Sequence, residues 1–169
     1  MPKLSRAALA HGPTRVTGEI AAESALWQDS GLQLLEPLAV ELTAQAGGDG
    51  IWLQGHLRTR LAQECRRCLE PVQQAVEVPV DLLFEPLQGE EAAELEGEVY
   101  AFAERDAEID LRDALREQLL LAVPPYVVCA EDCRGLCPRC GANRNHTACD
   151  CADERDPGPW DALKNLQFD

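Results

Sequence analysis

Apolar and polar positions alternate with a period of two over three long stretches of the chain. Residues 38–46, Leu-Ala-Val-Glu-Leu-Thr-Ala-Gln-Ala, carry apolar side chains at even positions, the pattern of a strand with one face on a core. Gly47-Gly48-Asp49-Gly50 interrupts it as a turn. The alternation resumes on odd positions with Ile51, Leu53, Leu57 and Leu61, while Gln54, His56, Arg58 and Arg60 face the other way. A third run places Val72, Val76, Val78, Val80, Leu82 and Phe84 on one face and Glu77 and Asp81 on the other. These runs predict an antiparallel β-meander, and residues 15–20 alternate in the same way as a candidate edge strand.

From Leu111 the period becomes helical. Leu111, Ala114, Leu115, Leu119 and Ala122 share one face, Asp110 is placed to cap the helix, Asp113 sits in its first turn, and Pro124-Pro125 ends it. Pro159 to Leu166 predicts a short terminal helix with Trp160 and Leu163 on one side. The expected class is therefore α+β. An antiparallel meander core with one main helix occupies residues 1–128, and a cysteine-rich, zinc-binding segment with a short C-terminal helix occupies 129–169.

Composition changes this picture in two places. The chain carries 30 Asp+Glu against 15 Lys+Arg, a net charge of −15. Ten of those acids lie between residues 85 and 110, with Arg105 as the one base. Residues 88–97 have few large apolar side chains, so a mobile acidic loop is expected there. The acidic balance opposes non-specific capture of nucleic acid, yet its concentration in one stretch leaves room for a basic patch elsewhere. The longest aliphatic run, Leu119 to Val123, is far short of the roughly 20 residues that cross a bilayer. Residues 1–13 lack the apolar core of a secretory signal, so a cytoplasmic protein without membrane contacts is expected.

Eight cysteines then supply the chemistry. Cys137-Pro138-Arg139-Cys140-Gly141 has the spacing that points two thiolates at one ion, with glycine closing the turn. The segment beyond Cys129 is too poor in apolar residues to build a core, so metal coordination is the expected source of its fold. A second pair must come from Cys129, Cys133, Cys149 or Cys151; Cys133 and Cys151 rank first, with His146 as a substitute ligand. An all-thiolate set is of the closed, structural kind, and Zn2+ is the expected ion. Cys65-Arg66-Arg67-Cys68 admits three readings: a compact reversal whose thiols pack locally, which ranks first, half of a second zinc quartet completed by tail cysteines, or a redox dithiol.

No phosphate-binding glycine loop, GxSxG or HExxH occurs, and His11, His56 and His146 stand in unrelated contexts, so no catalytic centre is nominated. Arg58, Arg60, Arg66, Arg67, Arg134, Arg139 and Arg144 are candidate contacts to RNA phosphate, because the guanidinium fork matches phosphate geometry. Their alternative role is ordinary surface charge, with Arg134, Arg139 and Arg144 placed to neutralise a zinc–thiolate quartet of net charge −2.

The pieces in order resemble the YceD family of large ribosomal RNA subunit accumulation proteins. The resemblance rests on Cys65-Arg66-Arg67-Cys68-Leu69, on Glu108-Ile109-Asp110-Leu111 leading into Leu119-Leu120-Leu121-Ala122-Val123-Pro124, and on Cys133 to Asn143. Asn145, Cys149-Asp150-Cys151, Asp156-Pro157 and Trp160 to Leu166 complete it, over about residues 60–169. It implies a non-enzymatic bacterial factor, with plastid relatives, that supports accumulation of 23S ribosomal RNA and biogenesis of the large subunit, with rRNA or a ribosomal protein as partner. Relatives that keep the mid-chain CxxC without the tail imply that a tail metal site is accessory to the shared core. Where the family usually has Asn-Leu-Asn, this chain has Asn143-Arg144-Asn145, an added cation beside the knuckle. Two other roles fit the residues: an acidic module that shields a basic ribosomal protein through residues 85–110, and a thiol redox protein using Cys65 and Cys68.

Overall fold

A computed structural model of the chain describes residues 2–48, 50–86, 99–103 and 105–151. In chain order these form β1 (Lys3–Ser5), α1 (Arg6–Leu9), β2 (Thr14–Ile20), a 3-10 turn (Ala25–Trp27), β3 (Gln33–Leu34), β4 (Leu38–Gly47), β5 (Gly50–Glu64), β6 (Pro71–Pro86), β7 (Val99–Phe102), β8 (Glu108–Asp110) and α2 (Arg112–Ala122). The main sheet runs β2-β4-β5-β6-β7, with β3 continuing the β4 side of β5 at Gln33↔Ala62 and Leu34↔Leu61. The α+β class holds, and the sheet is antiparallel except for its last pair, β6–β7.

The alternation read from the sequence is the alternation of the sheet. Leu38, Val40, Leu42 and Ala44 of β4, Leu53, Leu57 and Leu61 of β5, and Val78, Val80, Leu82 and Phe84 of β6 are buried on one face. Against that face lie Leu111, Ala114, Leu115 and Leu119 at the α2 end, with Leu4, Trp27 and Ile109 filling the margins. Each such side chain contributes about 1.5–3 kcal/mol on leaving water, so this one layer of helix on sheet is the core. β2 takes the predicted edge position, with Val16 and Ile20 inward.

Three features differ from the pattern-based expectation. Asp110 does not occupy the α2 cap; it ends β8 opposite Lys3, and Leu111, fully buried, takes the cap position. The Asp110 carboxylate still accepts the Arg112 N–H at 3.0 Å, and the Arg112 guanidinium beside it holds its pKa low. Within the acidic stretch 85–110, β7 and β8 are ordered strands: Tyr100 stacks on Phe84 at 5.2 Å, and Phe102 and Ile109 are buried. The charge count hid these few apolar residues. β7 runs parallel to β6, which a meander does not include. The loop expected at 88–97 and the helix expected at 159–166 lie outside the described residues.

β5 and β6 pair over their whole length, from Ile51↔Phe84 to Glu64↔Pro71. At 15 residues β5 is ~50 Å long. It overruns β4, whose pairing ends at Ala39↔Arg58, and carries Cys65 and Cys68 out to the hairpin tip. No helix among the described residues is long and apolar enough to cross a membrane.

Gly55 sets how closely β4 can approach this hairpin. It has φ +153°, and a Cβ there would lie 2.1 Å from the Glu41 carbonyl oxygen. Gly55→Ala is expected to remove roughly 2–4 kcal/mol of stability through backbone strain and displacement of β4, read as a lower urea midpoint at unchanged slope.

Candidate metal centres

At the hairpin tip the chain turns through Cys65-Arg66-Arg67-Cys68-Leu69. The Cys65 N–H donates to Glu70 O (2.8 Å), the Leu69 N–H to Cys65 O (2.9 Å), and the Arg67 N–H to Cys65 Sγ (3.4 Å). Closing this turn puts Leu69 at φ +62°, a left-handed conformation that costs a leucine about 1–2 kcal/mol. The second knuckle, Cys137 to Gly141, closes with the same bond, Gly141 N–H to Cys137 O at 2.9 Å. There the left-handed position, φ +72°, is a glycine.

The sulfurs of Cys65, Cys68, Cys129 and Cys133 all lie within 4.8 Å of one another, as do those of Cys137, Cys140, Cys149 and Cys151. Cys65 and Cys133 Sγ are 3.7 Å apart, and Cys68 and Cys129 Sγ 3.5 Å. Four sulfurs at ~2.3 Å from a common ion in a tetrahedron stand ~3.8 Å apart, and a disulfide would need ~2.05 Å. All eight thiols are free. The two four-cysteine tetrads are thus consistent with metal binding.

The thiols are already polarised for it. Burial pushes the Cys65 thiol up, but backbone N–H groups of Cys129, Arg67 and Cys68 outweigh it and lower its pKa to about 6. Cys133 is lowered by the Asn145 side chain, whose Nδ2 donates to its Sγ at 3.3 Å. Cys129 is pushed up to about 12 because it holds the proton that Cys133 and Cys68 share with it. In the second tetrad, backbone N–H groups of Cys140 and Arg139 lower Cys137 to about 6, and Cys151 is pushed up to about 12 by Cys140 and Cys137. A divalent cation would replace such shared protons.

These groupings correct two sequence-based rankings. Cys133 does not join Cys137 and Cys140; Cys149 does, with Cys151. The reason is local. Leu136 N–H donates to Arg67 O at 2.9 Å, and Gly135, at φ +69°, leaves only hydrogen where a Cβ would meet that carbonyl at 2.8 Å. Residues 133–136 are therefore docked on the hairpin tip, and Cys133 is committed to it. Cys65 and Cys68 do not form a merely local reversal, since their partners lie 61 and 68 residues away. Cys65 is also fully buried, so the low-pKa thiol that a redox dithiol needs is closed to solvent.

Sequence reasoning missed Glu70. Its Oε1 accepts from Asn143 Nδ2 (3.1 Å) and lies 2.6 Å from His146 Nε2, and its Oε2 accepts from Cys68 Sγ (3.9 Å). His146 is thereby a support between the tetrads, outside both ligand sets. Asn145 was quoted as a motif residue without a role; besides Cys133, its Oδ1 accepts the Arg134 N–H at 2.7 Å.

The seven arginines fall into two groups. Arg58 pairs with Glu77 (2.9 Å) and Glu41 (3.5 Å), and Arg60 with Glu36 (3.1 Å), on the outer sheet face. Arg67 donates to the carbonyls of Glu131 and Cys133, both at 3.1 Å, and the nearby Tyr126 phenol raises its pKa. Arg139 is engaged as well. Among the described residues, the exposed side chains of Arg66, Arg134 and Arg144 have no hydrogen-bond or ion-pair partner. They are held at one place: Arg66 adjoins Arg67, whose carbonyl binds Leu136, and the Arg144 N–H donates to Gly135 O at 2.9 Å.

An uncharacterized protein of Mycobacterium tuberculosis is 32% identical over 132 residues, covering 78% of this chain and 58% of its own length. The chloroplastic large ribosomal RNA subunit accumulation protein YCED homolog 1 of Zea mays is 28% identical over 150 residues, 72% of this chain and 51% of its own. Its Arabidopsis thaliana counterpart is 27% identical over 140 residues, covering 68% and 44%. The chain thus spans about half the length of the curated relatives it matches. No solved structure matches. Residues 53–167, from the sheet's central strand through both tetrads, match the family described as large ribosomal RNA subunit accumulation protein YceD, and the chain belongs to that family.

Proposed function

We propose that this protein is a cytoplasmic, non-catalytic factor for accumulation of large-subunit ribosomal RNA, with two structural zinc ions that join its sheet to its tail and present arginines to RNA. Cys65, Cys68, Cys129 and Cys133 would hold one ion, and Cys137, Cys140, Cys149 and Cys151 the other. Each ion would supply the cross-linking that the tail's few apolar residues cannot. The observation that carries this reading is the first tetrad, which closes completely and draws its halves from segments 61–68 residues apart. A closed thiolate set leaves no position for substrate. Of the seven candidate arginines, Arg66, Arg134 and Arg144 have no side-chain partner among the described residues, and family membership supplies the RNA context.

A second reading has its own observation. The net charge of −15, with ten acids in residues 85–110, suits a shield for a basic ribosomal protein. Capture from cell extract with and without nuclease separates the two: loss of large-subunit components after nuclease supports RNA contact, and retention of one basic protein supports the shield.

Protein purified under reducing conditions is expected to contain two zinc ions per chain by elemental analysis. Chelation should abolish amide-exchange protection over residues 127–151 while leaving the β4–β6 ladder protected. Fewer than two ions, or a tail equally protected without them, overturns the structural role. Replacing Arg66, Arg134 and Arg144 together by alanine should weaken single-stranded RNA binding and flatten its dependence on log salt by about 2, the share of three phosphate contacts; an unchanged slope removes them from the interface.

A further inference from the structure

The two knuckles are built alike and differ at two positions, Arg66 against Pro138 and Leu69 against Gly141. In each, the N–H after the second cysteine donates to the carbonyl of the first at 2.9 Å, and the residue that does so has a positive φ. The second knuckle fills that position with Gly141, as the conformation favours. The first fills it with Leu69, which is 58% exposed and packs into neither buried cluster. Leu69 therefore carries backbone strain and leaves most of an apolar side chain in water, outside both buried clusters of the described residues.

Other groups at the same tip share this character. Tyr126 is 60% exposed. The Arg66 N–H donates to Val127 O at 2.8 Å, which holds the Tyr126–Val127 segment alongside the knuckle. The Arg66 guanidinium has no partner among the described residues. An exposed ring, an exposed aliphatic side chain and an unpaired guanidinium on one turn meet what an unpaired nucleotide offers: a base face to stack on and a phosphate to neutralise. Duplex RNA hides its base faces and would use only the cation.

We propose that the first knuckle is a platform for unpaired RNA, with Tyr126 and Leu69 receiving a base and Arg66 the adjoining phosphate. The proposal rests on the RNA-contact reading above and deepens it, by naming single-stranded segments as what the tip selects.

The test uses the zinc-loaded full chain, with a fluorescein-labelled 12-nucleotide oligouridine and a 16-base-pair RNA duplex as probes, by anisotropy at low salt. Tyr126→Ala and Leu69→Gly are each expected to weaken oligouridine binding by about tenfold, the size of losing one stacked base, and to leave duplex binding unchanged. Tyr126→Phe keeps the ring and should bind as the parent does. Leu69→Gly should melt at or above the parent's midpoint, because glycine relieves the strain. A lowered midpoint would make Leu69 a structural residue and overturn the proposal, as would equal loss in Tyr126→Phe and Tyr126→Ala. Parental binding of oligouridine by both variants, alongside loss in the arginine variants, would refute the platform and leave the RNA reading standing. Absence of binding to either RNA, with Leu69-dependent capture of a basic ribosomal protein instead, would refute both.

Discussion

Four sulfurs at the turn of the β5–β6 hairpin draw together two segments that have little apolar reason to meet. Among the described residues, the hydrophobics packed around them are the partly buried Val72, Val128 and Leu136, few beside those of the main core. Backbone bonds from Arg66 to Val127 and from Leu136 to Arg67 align the tail with the turn, but each is a modest net contribution of ~1 kcal/mol. A metal ion among these thiolates would be worth ~10 kcal/mol or more, and would then decide whether residues 127–136 stay docked. The second tetrad depends on that docking, because its bracing runs back through Asn143 and His146 to Glu70 on the hairpin side.

The sheet was legible because its information is local. A strand with one buried face must alternate, and Leu38 to Ala44, Ile51 to Leu61 and Val76 to Phe84 do so, with Gly55 and Thr59 as the breaks in the apolar pattern. The parallel strand β7 was not, since four residues beside a run of acids give no periodicity and its partner is named only by Phe84 stacking on Tyr100. The α2 boundary shifted by one residue for a related reason. Asp110 has the side chain of a cap, but the burial of Leu111 and the β1–β8 pairing fix where the chain turns, and tertiary packing overrides the local preference.

The tetrads were half legible. Two-residue spacing marks each knuckle as a half-site, which is a property of a single turn. Which half-sites combine is a property of the fold. It depends on β5 being long enough to overrun β4 and deliver Cys65 and Cys68 to the tail, and on Gly135 allowing close approach to the Arg67 carbonyl. Gly135 carried a signal in principle, as a glycine soon after a cysteine, but the carbonyl it admits belongs to a distant part of the chain. The arginines sorted the same way. Arg58, Arg60 and Arg67 read as available until Glu77, Glu36 and the carbonyls of Glu131 and Cys133 are placed beside them.

Coordination also bears on where strain is tolerated. A hydrophobic core penalises a residue by its own poor fit, whereas a turn clamped through Cys65 and Cys68 is held by bonds in which Leu69 takes no part. With an ion bound, the energy keeping the knuckle closed would greatly exceed the roughly 1–2 kcal/mol that a left-handed leucine costs there. Arg66 is held beside this turn through its backbone N–H, which donates to Val127 O, and its guanidinium takes no part in that bond. Side chains freed in this way from any internal packing role can be chosen for what they meet outside the molecule. The tip of the hairpin is thus the place in this fold where stability and surface chemistry are separately set.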